Sequence, residues 1–271
     1  MTTGETDGRD SARARITLAD VKASINPNIP THFTVKYFGR PIADLMTPAS
    51  CAMGLRANGV TFWRTLIAFF GLFLLAWPGP FWLAAAAAGI FYFCFVLDCL
   101  DGNLARLYDE ASYWGKFMDG LADFVFVQGA PFFAGIGLWL RTDDGHALVV
   151  GAAVTATTLV SQMIRARLSF MREWMEKTSG PLTDAENSAA EPARKVQAVA
   201  AELYVGGTFF APLILFGADA PFMWAYLLFL LVFQFVVELV WIGGSMREAR
   251  HILGRHRVSK HAPTETKETD G

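Results

Sequence analysis

Charge is scarce in this chain. Only 18% of its 271 residues are Asp, Glu, Lys or Arg, whereas 53% are hydrophobic and 23 are phenylalanine. With a mean hydropathy of +0.33, that shortage argues against a soluble domain and fits a polytopic membrane protein. Cysteine is thin too. Cys51, Cys94 and Cys99 form no disulfide framework, and the last two lie in apolar runs where a thiol packs as a small hydrophobe. His251, His256 and His261 lack metal-ligand spacing and fall in a basic tail suited to solvent or anionic lipid. No Ser-His-Asp or Cys-His set stands out. The polar N-terminus has no apolar core and no small-residue cleavage site, so no signal peptide is expected.

What the chain does have is long apolar runs. A bilayer-spanning helix needs about 20 largely apolar residues. Six stretches meet that length, near 60–77, 81–107, 112–139, 146–171, 198–217 and 219–243. WPGP at 77–80, RTDDGH at 141–146 and FGADAP at 216–221 punctuate them. Placing both termini in the cytoplasm leaves Arg141 as the one outer cation among 23 Lys and Arg residues. That is the orientation expected from the positive-inside rule.

Ahead of the first span, FTVKYFGRPIADLM (33–46) spaces apolar residues at helical intervals around Lys36 and Arg40. It reads as an interfacial amphipathic helix, with a linker broken at Gly39-Arg40-Pro41 as the alternative. The expected organisation is a disordered N-terminal tail (1–30), the interfacial helix (31–50), a six-helix domain (51–246) and a basic C-terminal tail (247–271). A polar cytoplasmic loop covers 173–197. The fold class is all-α integral membrane, with a lipid bilayer as its surroundings and no nucleic-acid partner.

Within this apolar background four carboxylates are conspicuous. Asp98 and Asp101 are spaced i, i+3, and Asp119 and Asp123 i, i+4, so each pair shares one helix face. A short turn near 108–110 suggests that the two helices run antiparallel, side by side. Asp101 then matches Asp119 in depth, and Asp98 matches Asp123. Ala105 faces Gly115 in the same register, with Gly102 one turn deeper; such small residues permit close helix approach or leave room for a ligand. Each intramembrane Asp costs about 2.5–3.5 kcal/mol on insertion scales, which marks it as functional by default. Arg106 alone cannot neutralise four acids. Hard divalent cations can, and they commonly bridge carboxylates to phosphates.

Asp98, Asp101, Gly102, Ala105, Arg106, Gly115, Asp119 and Asp123 together match the signature D-x2-D-G-x2-A-R-x8-G-x3-D-x3-D without departure. The chain therefore resembles the CDP-alcohol phosphotransferase family of integral membrane enzymes, whose members have six helices. The resemblance implies attack by an acceptor hydroxyl on the β-phosphoryl group of a CDP-linked alcohol, often CDP-diacylglycerol, with release of CMP. It implies that Asp98, Asp101 and Asp119 ligate Mg²⁺ or Mn²⁺, in a two-ion arrangement. Asp123 would be both a metal neighbour and the base, and the expected assembly is a homodimer.

Two weaker matches lie outside the signature. Asn58-Gly59-Val60-Thr61 is similar to the family's P-N-x-x-T segment, with Ala57 in place of proline. Asn58 and Thr61 are candidate nucleotide contacts, with helix capping as the alternative. Arg165-Ala166-Arg167 is similar to a stretch found in members whose acceptor is phosphorylated, such as glycerol 3-phosphate or inositol phosphate. This chain continues Leu168-Ser169 rather than Ala-Glu, and anchoring at the inner interface is the alternative role. Glu202 and Glu238 are intramembrane acids without an assigned partner.

Three other readings compete. A UbiA-like prenyltransferase also uses Asp-rich motifs, but would put them on well-separated helices. Transfer of a CDP-aminoalcohol to a lipid acceptor stays within the same family. A transporter should show broken helices in paired halves, and no such repeat is visible.

Overall fold

Helix is the only regular structure among the described residues of the computed structural model, which are 16–25, 31–179 and 219–252. The elements are α1 (Leu18–Ala23), α2 (Arg40–Ala52), α3 (Ala57–Ala76), α4 (Trp82–Leu107), α5 (Tyr113–Thr142), α6 (His146–Ser179) and α7 (Ala220–Ile252). Helices α3 to α6 each hold a run long and apolar enough to cross a bilayer, and α7 adds a shorter one at Ala220–Val236. This is an all-α membrane protein. The fifth expected span, near 198–217, lies outside the described residues.

Several boundaries differ from expectation, each for a local reason. Part of the expected N-terminal tail is helical: Thr17 caps α1, accepting from the Asp20 N–H while Asp20 accepts from the Thr17 N–H at 2.8 Å. Those bonds hold the Asp20 carboxyl below its ordinary value, and Val21 is fully buried. Gly39-Arg40-Pro41 does not interrupt the chain. A π-turn at Val35–Gly39 leads directly into α2, and Pro41 sits in its first turn, where a missing N–H costs no hydrogen bond. Gly39 allows the turn to press on α4, since a Cβ there would lie 2.8 Å from Cys99 Sγ. Helix α6 continues beyond 171 into the expected polar loop, supported by a Glu173–Lys177 pair at 2.6 Å and by buried Met175. Likewise α7 runs past 246 to Ile252, through a segment rich in good helix formers.

Packing departs from chain order at the point that matters most. Helices α4 and α5, expected side by side, scarcely approach each other along their main chains, and α3 packs against both. Five alanines at 84–88 and Gly71 make the α3–α4 seam close, with Phe91 against Gly71. Phe91 stacks with Phe126 of α5 at 6.1 Å, closing the core below the carboxylates. The α5–α6 crossing is tighter still. A Cβ on Gly151 would fall 2.6 Å from the Pro131 carbonyl oxygen, and one on Gly135 2.6 Å from that of Ala147. Helix α7 then lies along α6 and touches α5.

The surface is inverted relative to a soluble protein. On α3 the residues facing inward include Arg64, Ala68, Gly71 and Leu72, while Phe62, Trp63, Phe69, Phe70 and Phe73 face outward. Helix α2 does the same, burying Asp44, Thr47 and Ser50 and exposing Ile42 and Leu45, while the turn before it exposes Phe38. Such apolar exterior faces suit lipid.

Candidate active site

Helix α3 brings Thr61 and Arg64 onto one face, one turn apart, pointing between α4 and α5. Helix α4 supplies Asp98 and Asp101, and α5 supplies Asp119 and Asp123. Carboxylate oxygens of Asp98, Asp119 and Asp123 converge within 4.8 Å of one another. Asp101 is turned aside and buried, and its Oδ2 accepts a 2.7 Å hydrogen bond from Thr61 Oγ1. The Thr61 hydroxyl also lies 3.2 Å from the Ala57 carbonyl oxygen. It has one proton, and the shorter bond to a carboxylate is the stronger claim on it.

At the base of this group is Arg64. Its Nη1 pairs with Asp98 Oδ1, and its Nη2 lies 2.6 Å from Asp119 Oδ1 and 3.2 Å from Asp123 Oδ1. The Arg64 side chain is 1% exposed, against 35%, 38% and 43% for those of the three acids. The carboxylates therefore open outward with a guanidinium behind them. Sequence reading passed over Arg64, although its signal was the one that exposed the acids: a lone charge deep in an apolar span.

Three of the acids meet as expected, but α4 and α5 do not pack directly, because α3 packs against both and carries the cation on which those acids converge. Ala105 is not paired with Gly115. Gly115 lies instead beside Asn58, whose Oδ1 would be 3.4 Å from a Cβ there, and its N–H donates to Ser112 Oγ, the α5 N-cap, at 3.0 Å. Asn58 and Thr61 are not caps of α3, whose N-cap is Arg56 without a side-chain bond. Arg106 makes no ion pair with the four acids. Its guanidinium lies over Gly102, 3.4 Å from where a Cβ would be, and donates to Asn103 Oδ1 at 2.6 Å. Buried Asn103 in turn donates to Asp44 Oδ1 at 2.8 Å and Thr47 Oγ1 at 3.0 Å, tying the signature to α2. Arg167 is exposed, its guanidinium 5.9 Å from the Phe170 ring, and Arg165 is half-buried. The cation paired with the three acids is Arg64. Glu202 lies outside the described residues, as does the Glu238 side chain.

Three hard oxygen donors in a group open on one side fit a divalent cation in kind and spacing. The CDP-alcohol phosphatidyltransferase family profile matches residues 55–236, from just before α3 into α7. This chain belongs to that family. Among similar proteins are CDP-diacylglycerol–glycerol-3-phosphate 3-phosphatidyltransferases. The one from Yersinia enterocolitica is 33% identical over 116 residues, 42% of this chain and 58% of the relative. That from Pectobacterium atrosepticum is 33% identical over 110 residues, 40% and 54%. That from Escherichia coli K12 is 35% identical over 94 residues, 35% and 46%. The chain thus spans about half the length of the curated relatives it matches. Membership in the CDP-alcohol phosphatidyltransferases gives the convergent acids a chemical context.

Proposed function

We propose that this protein transfers a phosphatidyl group from CDP-diacylglycerol to an acceptor alcohol, releasing CMP, and that the acceptor is glycerol 3-phosphate. The observation that carries the reading is the convergence of Asp98, Asp119 and Asp123 inside the family signature. The names of the similar proteins supply the donor and acceptor. In the reaction the acceptor hydroxyl oxygen forms a bond to the β-phosphorus. The bond from that phosphorus to the CMP oxygen breaks, and CMP leaves with the electron pair.

Asp98, Asp119 and Asp123 would hold Mg²⁺ or Mn²⁺, with Asp101 as a further ligand beside them whose Oδ2 is already engaged by Thr61. When bound, such ions supply positive charge against the donor diphosphate. Asp123, the most exposed of the three, takes the proton of the acceptor hydroxyl. The nucleotide would be contacted by Asn58, Thr61 and Gly115 at the N-terminal ends of α3 and α5 and by Gly102, Ala105 and Arg106 along α4. Arg165 and Arg167 are the candidates for the acceptor phosphate, a role that rests on the resemblance of their short stretch.

The same reading includes six spans with both termini in the cytoplasm, α2 at the inner interface and the carboxylates opening to that side. Charge distribution along the sequence supports it, and homodimeric assembly rests on the family resemblance. The test is CMP release by the purified protein from CDP-diacylglycerol, across glycerol 3-phosphate, inositol phosphate, inositol and serine. We expect Mg²⁺- or Mn²⁺-dependent release with glycerol 3-phosphate that is lost in Asp119→Asn. Release with a different alcohol alone would reassign the acceptor, and none with any would overturn the reading.

A further inference from the structure

We propose that Arg64 is the resident cation of the carboxylate group: it holds Asp98, Asp119 and Asp123 together before a divalent ion arrives, and its charge weakens the binding of that ion. The inference rests on the metal reading above for its second half only.

Three observations carry it. Arg64 is fully buried, which for a guanidinium in an apolar span demands close anionic partners. Its ion pairs run to all three acids that could hold a metal, two of them at 2.6 and 3.2 Å. Each of those pairs uses Oδ1, so none of them engages Oδ2 of the same carboxylates. The guanidinium therefore braces the group from behind while the acids stay open in front. Without it, three like charges gathered within 4.8 Å would drive each other apart.

Two opposing effects follow for metal binding, and magnitude decides between them. Removing Arg64 loosens the alignment of the carboxylates, which weakens binding. It also removes a positive charge a few ångströms from the incoming ion, which strengthens binding. A divalent ion gathers its own ligands, and a unit charge at that range, even well screened, shifts affinity by about tenfold or more. The charge effect prevails.

The experiment uses the full chain in detergent, with Mn²⁺ binding followed by electron paramagnetic resonance of the free ion and melting followed in EDTA. Arg64→Gln should bind Mn²⁺ about tenfold or more tightly than the native chain, yet melt at lower temperature in EDTA. Arg64→Lys keeps the charge and should restore Mn²⁺ affinity to near the native value. Arg64→Gln/Asp123→Asn, which restores the charge balance, should melt higher in EDTA than Arg64→Gln alone. A purely structural arginine predicts lower melting with unchanged or weaker Mn²⁺ binding, and that result would overturn the proposal. So would a double variant no more stable than the single one. If Arg64→Gln cannot be recovered folded, a folded double variant supports the bracing role, and an unfolded one overturns it. A native chain that binds no Mn²⁺ would sink the metal reading and the second half with it. The EDTA comparison would then decide the bracing role by itself.

Discussion

At the scale of single residues, the site is built by pairing each buried polar group with a partner that fixes its direction. Thr61 shows the effect on Asp101. A hydrogen bond to a charged group is worth about 1.5–3 kcal/mol, and losing it frees the carboxylate to turn away. Thr61→Val keeps the shape and removes the donor. We expect it to slow CMP release roughly tenfold or more and to lower the melting temperature by several degrees. Steady-state rates at saturating donor check this, and native turnover would show that Thr61 has no hold on the reaction. The four aspartates were legible in the sequence because charge in a span is costly and their spacing is periodic. Arg64 carried the same signal in a single position with no periodicity to support it, and so went unread. The division of labour between Asp101 and the other three acids was not legible at all. It depends on rotamers set by α3, a helix outside the signature.

Individual helices were more legible than the contacts between them. Helices α3, α4 and α5 start and end within a few residues of the expected bounds, with WPGP between α3 and α4 and Ser112 capping α5, whereas α6 and α7 run on where charged residues remain good helix formers. Chain order suggested that α4 and α5 pair directly. Nothing local in those helices could reveal that α3 lies between them, because the decision is made by small residues meeting across helices, such as Gly71 under Phe91. The link from α2 to the site was equally hidden. Asp44 and Thr47 sit in a segment read as amphipathic for its apolar face, yet it is their polar face that docks on Asn103. Asp44→Ala would leave the buried Asn103 amide short of an acceptor, a loss of about 1–3 kcal/mol. We expect a melting temperature lower by several degrees and reduced CMP release, since Arg106 is held through the same amide. Thermal unfolding checks the first, and CMP release from CDP-diacylglycerol the second. An unchanged melting temperature would mean that α2 is dispensable to the α4 end of the site.

For the whole molecule, the arrangement of charge makes a prediction about the membrane. Arg141 is the one cation expected outside, and the structure gives it a fixed duty there. Its Nε donates to the Gly79 carbonyl oxygen at 2.8 Å and its Nη1 to that of Leu75 at 3.1 Å, so it caps the C-terminal end of α3. A cation committed to a helix end is a weak argument against that end being external. The opposite ends of α3, α4 and α5 carry Arg56, paired with Glu110 at 3.0 Å, Arg106 and Lys116, with Lys36 and Arg40 in the segment ahead of α3. The electrostatic asymmetry therefore belongs to the folded bundle as well as to the sequence. By the positive-inside rule we expect the turn at 143–145 outside and the 108–112 turn inside, on the side where the carboxylates would open. Single cysteines at Asp143 and at Asp109, both in exposed turns with left-handed backbone, test this directly. The three native cysteines are buried and should contribute little background. A membrane-impermeant maleimide added to intact cells should label the Asp143→Cys chain, and the Asp109→Cys chain only after the membrane is opened. The reverse pattern would invert the protein in the bilayer and put the carboxylates on the outer side, away from any cytoplasmic pool of CDP-linked donor.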